Sequence, residues 1–217
     1  MKAMKRITVL FALLASLTAS AADLQVKDML VTMPDSLLTL ISASGRQDLI
    51  DFYESGVPGW TENRLGGRSH TLYFDTDRLS VATSDAGSFD LFLLSLKGGG
   101  SLVGLIKNVR VGNFMDSRIS FYTPLWKPVP VKSVIRLPEF DDFLEPSALK
   151  NDSVSTLRAM SLVRFVSIEP SAEEPGVLIV TYTSADNLGP DADAYRHFFR
   201  QEPLRYVWNG RRFKLRR

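Results

Sequence analysis

Ser69, His70 and Asp75 are the first residues whose types could do chemistry together, because serine, histidine and aspartate are the material of a hydrolytic triad. Their spacing argues against it. Neighbours on a strand point to opposite faces, so Ser69 and His70 could hardly meet as nucleophile and base. No serine stands in a glycine-flanked nucleophile elbow. The other histidine, His197, sits between Arg196 and Arg200 in the pattern of a solvated helix face. Asp75-Thr76-Asp77 and the set Asp186, Asn187, Asp191 and Asp193 offer oxygen to calcium. Neither segment has the further ligands, mid-loop glycine and closing glutamate of an EF-hand, and aspartate and asparagine are ordinary turn residues. Glu173-Glu174 and Asp141-Asp142 are carboxylate pairs, but glycosidic chemistry needs two acids facing each other across a cleft, which adjacency does not arrange. Gly66-Gly67 and Gly98-Gly99-Gly100 lack the lysine and spacing of a phosphate loop and read as turns. No catalytic residue, metal ligand or cofactor is expected.

Binding is better represented. Arg205, Arg212, Lys214 and Arg216 fall on one face of a C-terminal hairpin, with Arg211 and Arg217 nearby. Such a face could meet an anionic glycan, envelope lipid headgroups or an acidic protein. It could equally solubilise an edge hairpin, or pair with acids elsewhere in the chain. Trp60 and Arg64 lie in a glycine-rich loop, where the indole either grips a ligand or plugs the end of the core.

The elements that must position these residues follow from periodicity. Thr32-Met33-Pro34-Asp35 and Ser44-Gly45-Arg46-Gln47 both read as helix starts, giving two short helices or one broken helix before Gly56. From His70 the period becomes two: Leu72 and Phe74, then Leu79 and Val81. Ser88 to Lys97 is apolar on both faces, as a central strand covered twice would be. With Leu102–Val109 and Ile119–Leu125 this makes an antiparallel meander of about five strands. Prolines 124, 128, 130 and 138 favour an extended connector or edge strand over 126–137, the one candidate for a subdomain boundary. A short helix near Phe140–Leu144, strands over 163–168 and 177–183 and a helix over 191–201 follow. Asn209-Gly210 suggests a two-residue type I′ turn, setting Trp208 opposite Arg211, Tyr206 opposite Phe213 and Leu204 opposite Leu215. The expected fold class is α+β: an antiparallel meander with N-terminal helices packed on it and a C-terminal hairpin, in one domain from 22 to 217.

Composition narrows the setting. The 217 residues are 45% hydrophobic and 23% charged, and include no cysteine, so disulfides, thiolate metal sites and cysteine-borne lipids are excluded. Residues 1–21 combine Lys2, Lys5 and Arg6, an apolar run from Ile7 to Leu17, and Ala19-Ser20-Ala21, in the order of a cleavable signal peptide. With no cysteine to acylate, a lipoprotein is not expected. The anticipated location is periplasmic or secreted, with no transmembrane segment after cleavage. Removing the segment leaves 23 basic and 24 acidic residues, which does not support general nucleic-acid binding.

Met33-Pro34-Asp35-Ser36-Leu37-Leu38, Asp48-Leu49-Ile50-Asp51-Phe52-Tyr53 and Asn63-Arg64-Leu65-Gly66-Gly67 together resemble a family of exported Bacteroidetes proteins of unknown function. The resemblance implies export in a Gram-negative bacterium and brings no activity or site residue with it. The functional expectation is an exported, non-catalytic binding or interaction module of the envelope. The alternative is a hydrolase-type enzyme whose site assembles from distant carboxylates or arginines.

Overall fold

The structure, a computed structural model, describes residues 24–161, 163–185 and 192–216. Its first helix, α1 (Val26–Thr32), lies upstream of the first expected start. It ends there because Met33 precedes Pro34 and is held extended (φ −60°, ψ 128°). Thr32–Asp35 therefore closes a helix instead of opening one. Asp35 lies in the following turn, where its carboxylate receives the Arg46 guanidinium at 2.9 Å and that of Arg64 at 3.0 Å. Helix α2 (Ala43–Glu54) is capped two residues before Ser44, with Ser42 Oγ accepting from Gly45 N at 3.1 Å.

Seven antiparallel strands follow in sequence order: β1 (Thr61–Glu62), β2 (Arg68–Phe74), β3 (Arg78–Ala82), β4 (Gly87–Ser95), β5 (Ser101–Val111), β6 (Phe114–Tyr122) and β7 (Pro128–Val129). The two residue-pair strands at the margins extend the expected meander. The 126–137 connector supplies β7 and a one-turn helix, α3 (Val131–Val134). A bulge at Leu72 breaks the expected alternation in β2 and leaves that leucine 58% exposed. Strand β4 is covered twice, as its pattern requires. Phe89 and Leu91 pack with Val103 and Leu105 against Met29 and Leu30 of α1, while Phe92 and Leu94 face the other way.

The second face is covered by a four-stranded antiparallel sheet, order β11-β10-β9-β8, built from β8 (Val166–Pro170), β9 (Val177–Tyr182), β10 (Leu204–Trp208) and β11 (Phe213–Arg216). Ile168, Leu178, Val180, Leu204, Tyr206 and Phe213 meet Phe92, Leu94, Ile106 and Phe121 in one core. Strand β8 starts three residues later than expected. After α4 (Ser153–Met160), the helix expected over 191–201 shrinks to α5 (Ala192–Arg196), because Phe199 bridges to Leu144 and draws the backbone out of the helix. The segment at Phe140–Phe143 is a 3-10 turn.

The hairpin keeps its faces but not its register. Trp208 pairs with Phe213, Tyr206 with Leu215 and Arg205 with Arg216, leaving Asn209–Arg212 as a four-residue connection. Asn209 Oδ1 accepts from the backbone N–H groups of Arg211 (3.0 Å) and Arg212 (2.9 Å), an Asx-type turn. Gly210, at φ 86°, gives its carbonyl to Lys97 N at 2.8 Å, and Trp208 Nε1 donates to Ser95 O at 2.8 Å. The turn is thus shaped by docking on the β4–β5 turn. A two-residue slip preserves side-chain parity, so Leu204, Tyr206, Trp208, Phe213 and Leu215 still share a face.

Beneath β8 a polar row crosses the large sheet. Ser117 Oγ donates to Asn108 Oδ1 (2.6 Å), Asn108 Nδ2 to Asp90 Oδ2 (3.2 Å), and Asp90 Oδ1 receives both Ser80 Oγ and Arg78 (3.2 Å). The row reaches the small sheet through Ile168 N to Ser117 Oγ (2.9 Å) and Arg78 to Ser171 O (3.3 Å). Asp90 is 6% exposed. Removing one member of a buried ion pair strands the other. Asp90→Ala is therefore expected to lower the unfolding free energy by about 3 kcal/mol, and Ser117→Ala by about 1 kcal/mol, in urea titrations.

Candidate functional site

Trp60 is placed by the close packing of the loop that follows α2. Gly59 lies so near Phe52 that a Cβ there would come within 2.2 Å of the ring. The loop backbone consequently rests on α2 and carries Trp60 out beside β2. The indole is 47% exposed, and the Arg68 guanidinium stands 4.3 Å from the centre of its ring. Together with Tyr53, Val57, His70 and Leu72, these residues line an open groove of about 780 Å³. Tyr53, Val57 and Leu72 are each about half exposed, an unusual grouping of apolar side chains. Tyr53 is steadied by the Phe74 ring at 4.9 Å.

The groove runs along a free sheet edge. Strand β1 pairs only with Arg68 and Ser69. From His70 to Phe74 no strand lies outside β2 among the described residues. Backbone groups on such an edge remain open to an extended chain.

Other sequence candidates are dispersed. Arg64 is half exposed and turned to Asp35, outside the groove lining. Asp35 is held below the usual carboxylate range, first by its hydrogen bond from Arg46 and then by that from Arg64. Ser69 is fully buried and donates to Thr83 O, whereas His70 is exposed in the groove. Asp75 accepts from Tyr73 Oη (2.6 Å), Asp77 N and Arg78 N, so Ser69, His70 and Asp75 form no relay. Asp141 pairs with Arg158 at 2.6 Å and Asp142 with Arg136 at 3.0 Å. Asp193 pairs with Arg196, while Asp186, Asn187 and Asp191 of the same proposed calcium set lie outside the described residues. Among the described residues no three acids or histidines are grouped to hold a metal, and no helix is long and apolar enough to cross a membrane.

The hairpin cations divide. Arg205 and Arg216, cross-strand partners, both bind Glu174 from the β8–β9 loop, Arg216 at 3.0 Å. Lys214 remains exposed on the strand, and Arg212 is exposed in the turn.

Sequence reasoning missed Asp90 and Arg78, which line a second cleft of about 540 Å³ between the sheets with Glu169 and Arg205. The available signal was a single acid inside the otherwise apolar run Ser88–Leu96.

Fold and groove define an α+β protein of two packed antiparallel sheets with an open aromatic edge. Over residues 18–213 the chain matches the family described as Protein of unknown function (DUF3256), and it belongs to that family. A solved structure, described as a domain of an uncharacterized protein from Porphyromonas gingivalis W83, is similar to it. It has a TM-score of 0.75 at 24% identity, over 87% of this chain and 97% of that chain. At that identity the likeness establishes the fold. Among curated proteins none matches.

The Glu174 contacts carry a pH signature. The hydrogen bond from Arg216, with the charge of Arg205, holds the Glu174 carboxyl below its ordinary value. A lowered folded-state pKa adds stability above the unfolded value and loses it as pH falls through the folded one. Urea midpoints should consequently drop more steeply between about pH 5 and pH 3 in the wild type than in Glu174→Gln.

Proposed function

We propose that this protein is an exported, non-catalytic binding module of the bacterial envelope that captures an extended segment of another protein along β2. The observation that carries this is the half-exposed Trp60, under Arg68, beside a strand whose outer edge has no partner from His70 to Phe74 among the described residues. Strand addition would use the free backbone groups of β2 for affinity. Trp60, Tyr53 and Leu72 would receive alternate side chains, and aromatic anchors dominate interfaces of this kind. Arg68 and Asp85 both line the groove, so selectivity rests on its aromatic and apolar side chains.

Export rests on the residue order in 1–21, which lies outside the described residues. N-terminal sequencing of the protein from its host should begin close to Ala22; a start at Met1 would contradict export.

A second reading, hydrolysis, is favoured by Asp90, Glu169, Arg78 and Arg205 in the inter-sheet cleft. Both Asp90 oxygens are already engaged by Ser80, Arg78 and Asn108, which leaves it little capacity as a base. Binding is therefore the better supported function.

The binding reading is tested with phage-displayed linear dodecapeptides selected on the full mature chain. Selected peptides should bind Trp60→Ala and Leu72→Pro at least about tenfold more weakly, one hot-spot anchor's worth, with unchanged far-UV circular dichroism. Failure to select any peptide, or selection of peptides indifferent to both changes, rejects the reading.

A further inference from the structure

A third cavity, distinct from the Trp60 groove, opens where the two sheets part at the β2–β3 turn. It holds about 350 Å³. Phe92 and Leu94 of β4 and Leu178 and Phe213 of the small sheet make apolar walls, and Pro170 at the end of β8 with the β8–β9 loop, Ser171–Gly176, covers them. The space depends on Gly104. A Cβ there would lie 2.2 Å from the Phe92 ring, so the ring lies against the bare β5 backbone. A larger residue on β5 would push that ring away from the strand.

The mouth is the turn Asp75-Thr76-Asp77, and its charge is one-sided. Arg78, the lining cation, gives its Nη groups to Ser171 O, Ser80 and Asp90, and its buried Nε has no partner among the described residues. Asp75 accepts three hydrogen bonds and pairs with no cation among the described residues. Its carboxylate holds the Tyr73 hydroxyl proton in place and raises that group above its ordinary value. Asp77 is exposed, and its carboxylate has no partner among the described residues. Aromatic walls add a negative ring face to this field. Apolar walls, an aromatic lining and an anionic mouth suit one class of small molecule.

We propose that this cavity binds a small apolar amine, with the hydrocarbon body between the sheets and the protonated nitrogen at the Asp75–Asp77 turn. At about 30 Å³ per non-hydrogen atom, the volume of a water in the liquid, the space takes roughly ten such atoms. Of the open β2 edge only Tyr73 also lines this cavity, and the Trp60, Tyr53 and Leu72 side chains of the groove lie outside it.

Octylamine and octanoate separate the head group from the chain. In two-dimensional amide spectra of the full mature chain, octylamine should shift Thr76, Gly176 and Leu178 saturably. Octanoate should bind at least about tenfold more weakly. Asp77→Asn should weaken octylamine roughly two- to fivefold, the size of one partly exposed ion pair, and leave octanoate unchanged. Ala172→Trp from the roof and Thr76→Trp from the mouth each plug the cavity from an exposed position and should abolish the shifts. Whichever of the two keeps the wild-type melting temperature decides the matter. Octylamine binding in Trp60→Ala should be unchanged, which separates this result from the fate of the groove. No shift with octylamine, equal binding of octanoate, or binding that survives a folded plug variant would overturn the proposal.

Discussion

A carboxylate shut between two sheets must be fully partnered, and that demand organises this molecule. Asp90 stands on the face of β4 that meets the small sheet, in line with Phe92 and Leu94. Leaving it unpaired would cost several kcal/mol. Ser80, Arg78 and Asn108 answer it from the two neighbouring strands, and Ser117 extends the row to β6. The small sheet would otherwise present β8 as an edge with open N–H groups. The row supplies the acceptor that Ile168 N needs. One polar line therefore ties four strands together and fixes where the second sheet crosses the first.

The cavities follow from that crossing. Arg78 leaves the row to reach Ser171 O, with its guanidinium 5.0 Å from the centre of the Tyr73 ring. It stands between the apolar cavity at the β2–β3 turn and the charged cleft that contains Glu169 and Arg205. The same contact holds the β8–β9 loop, which presents Glu174 to Arg205 and Arg216. Much of the cationic hairpin face is thereby drawn into the intramolecular structure. The aromatic groove meets the charged cleft at Leu72 and continues along the β2 edge, where among the described residues β1 is the one strand outside it.

Several elements were legible because local chemistry and packing agree. The double apolar face of Ser88–Lys97 can be satisfied only by a strand covered on both sides, and β4 is such a strand. Parity along the hairpin survived a two-residue change of register, because parity depends on the period of the strand alone. The turn itself did not follow its dipeptide preference, since Lys97 and Ser95 hold it from another strand. Thr32–Asp35 reads as a cap from four residues, yet Asp35 is engaged by Arg46 and Arg64, which lie 11 and 29 positions away. Leu72 reads as inward until the bulge turns it out.

By itself the sequence determined the α+β class, the antiparallel meander, the inward faces of β4 and the hairpin, and the lack of thiol chemistry, because these depend on residue type and short periods. Tertiary structure alone decided which charges are engaged and which surfaces stay open. Arg64, Arg205 and Arg216 look like free cations until Asp35 and Glu174 arrive from distant segments. Trp60 looks like a core plug until the loop rests on Phe52 beside the open outer edge of β2. Ion pairs and concave surfaces join residues far apart in the chain, and no local pattern records their meeting.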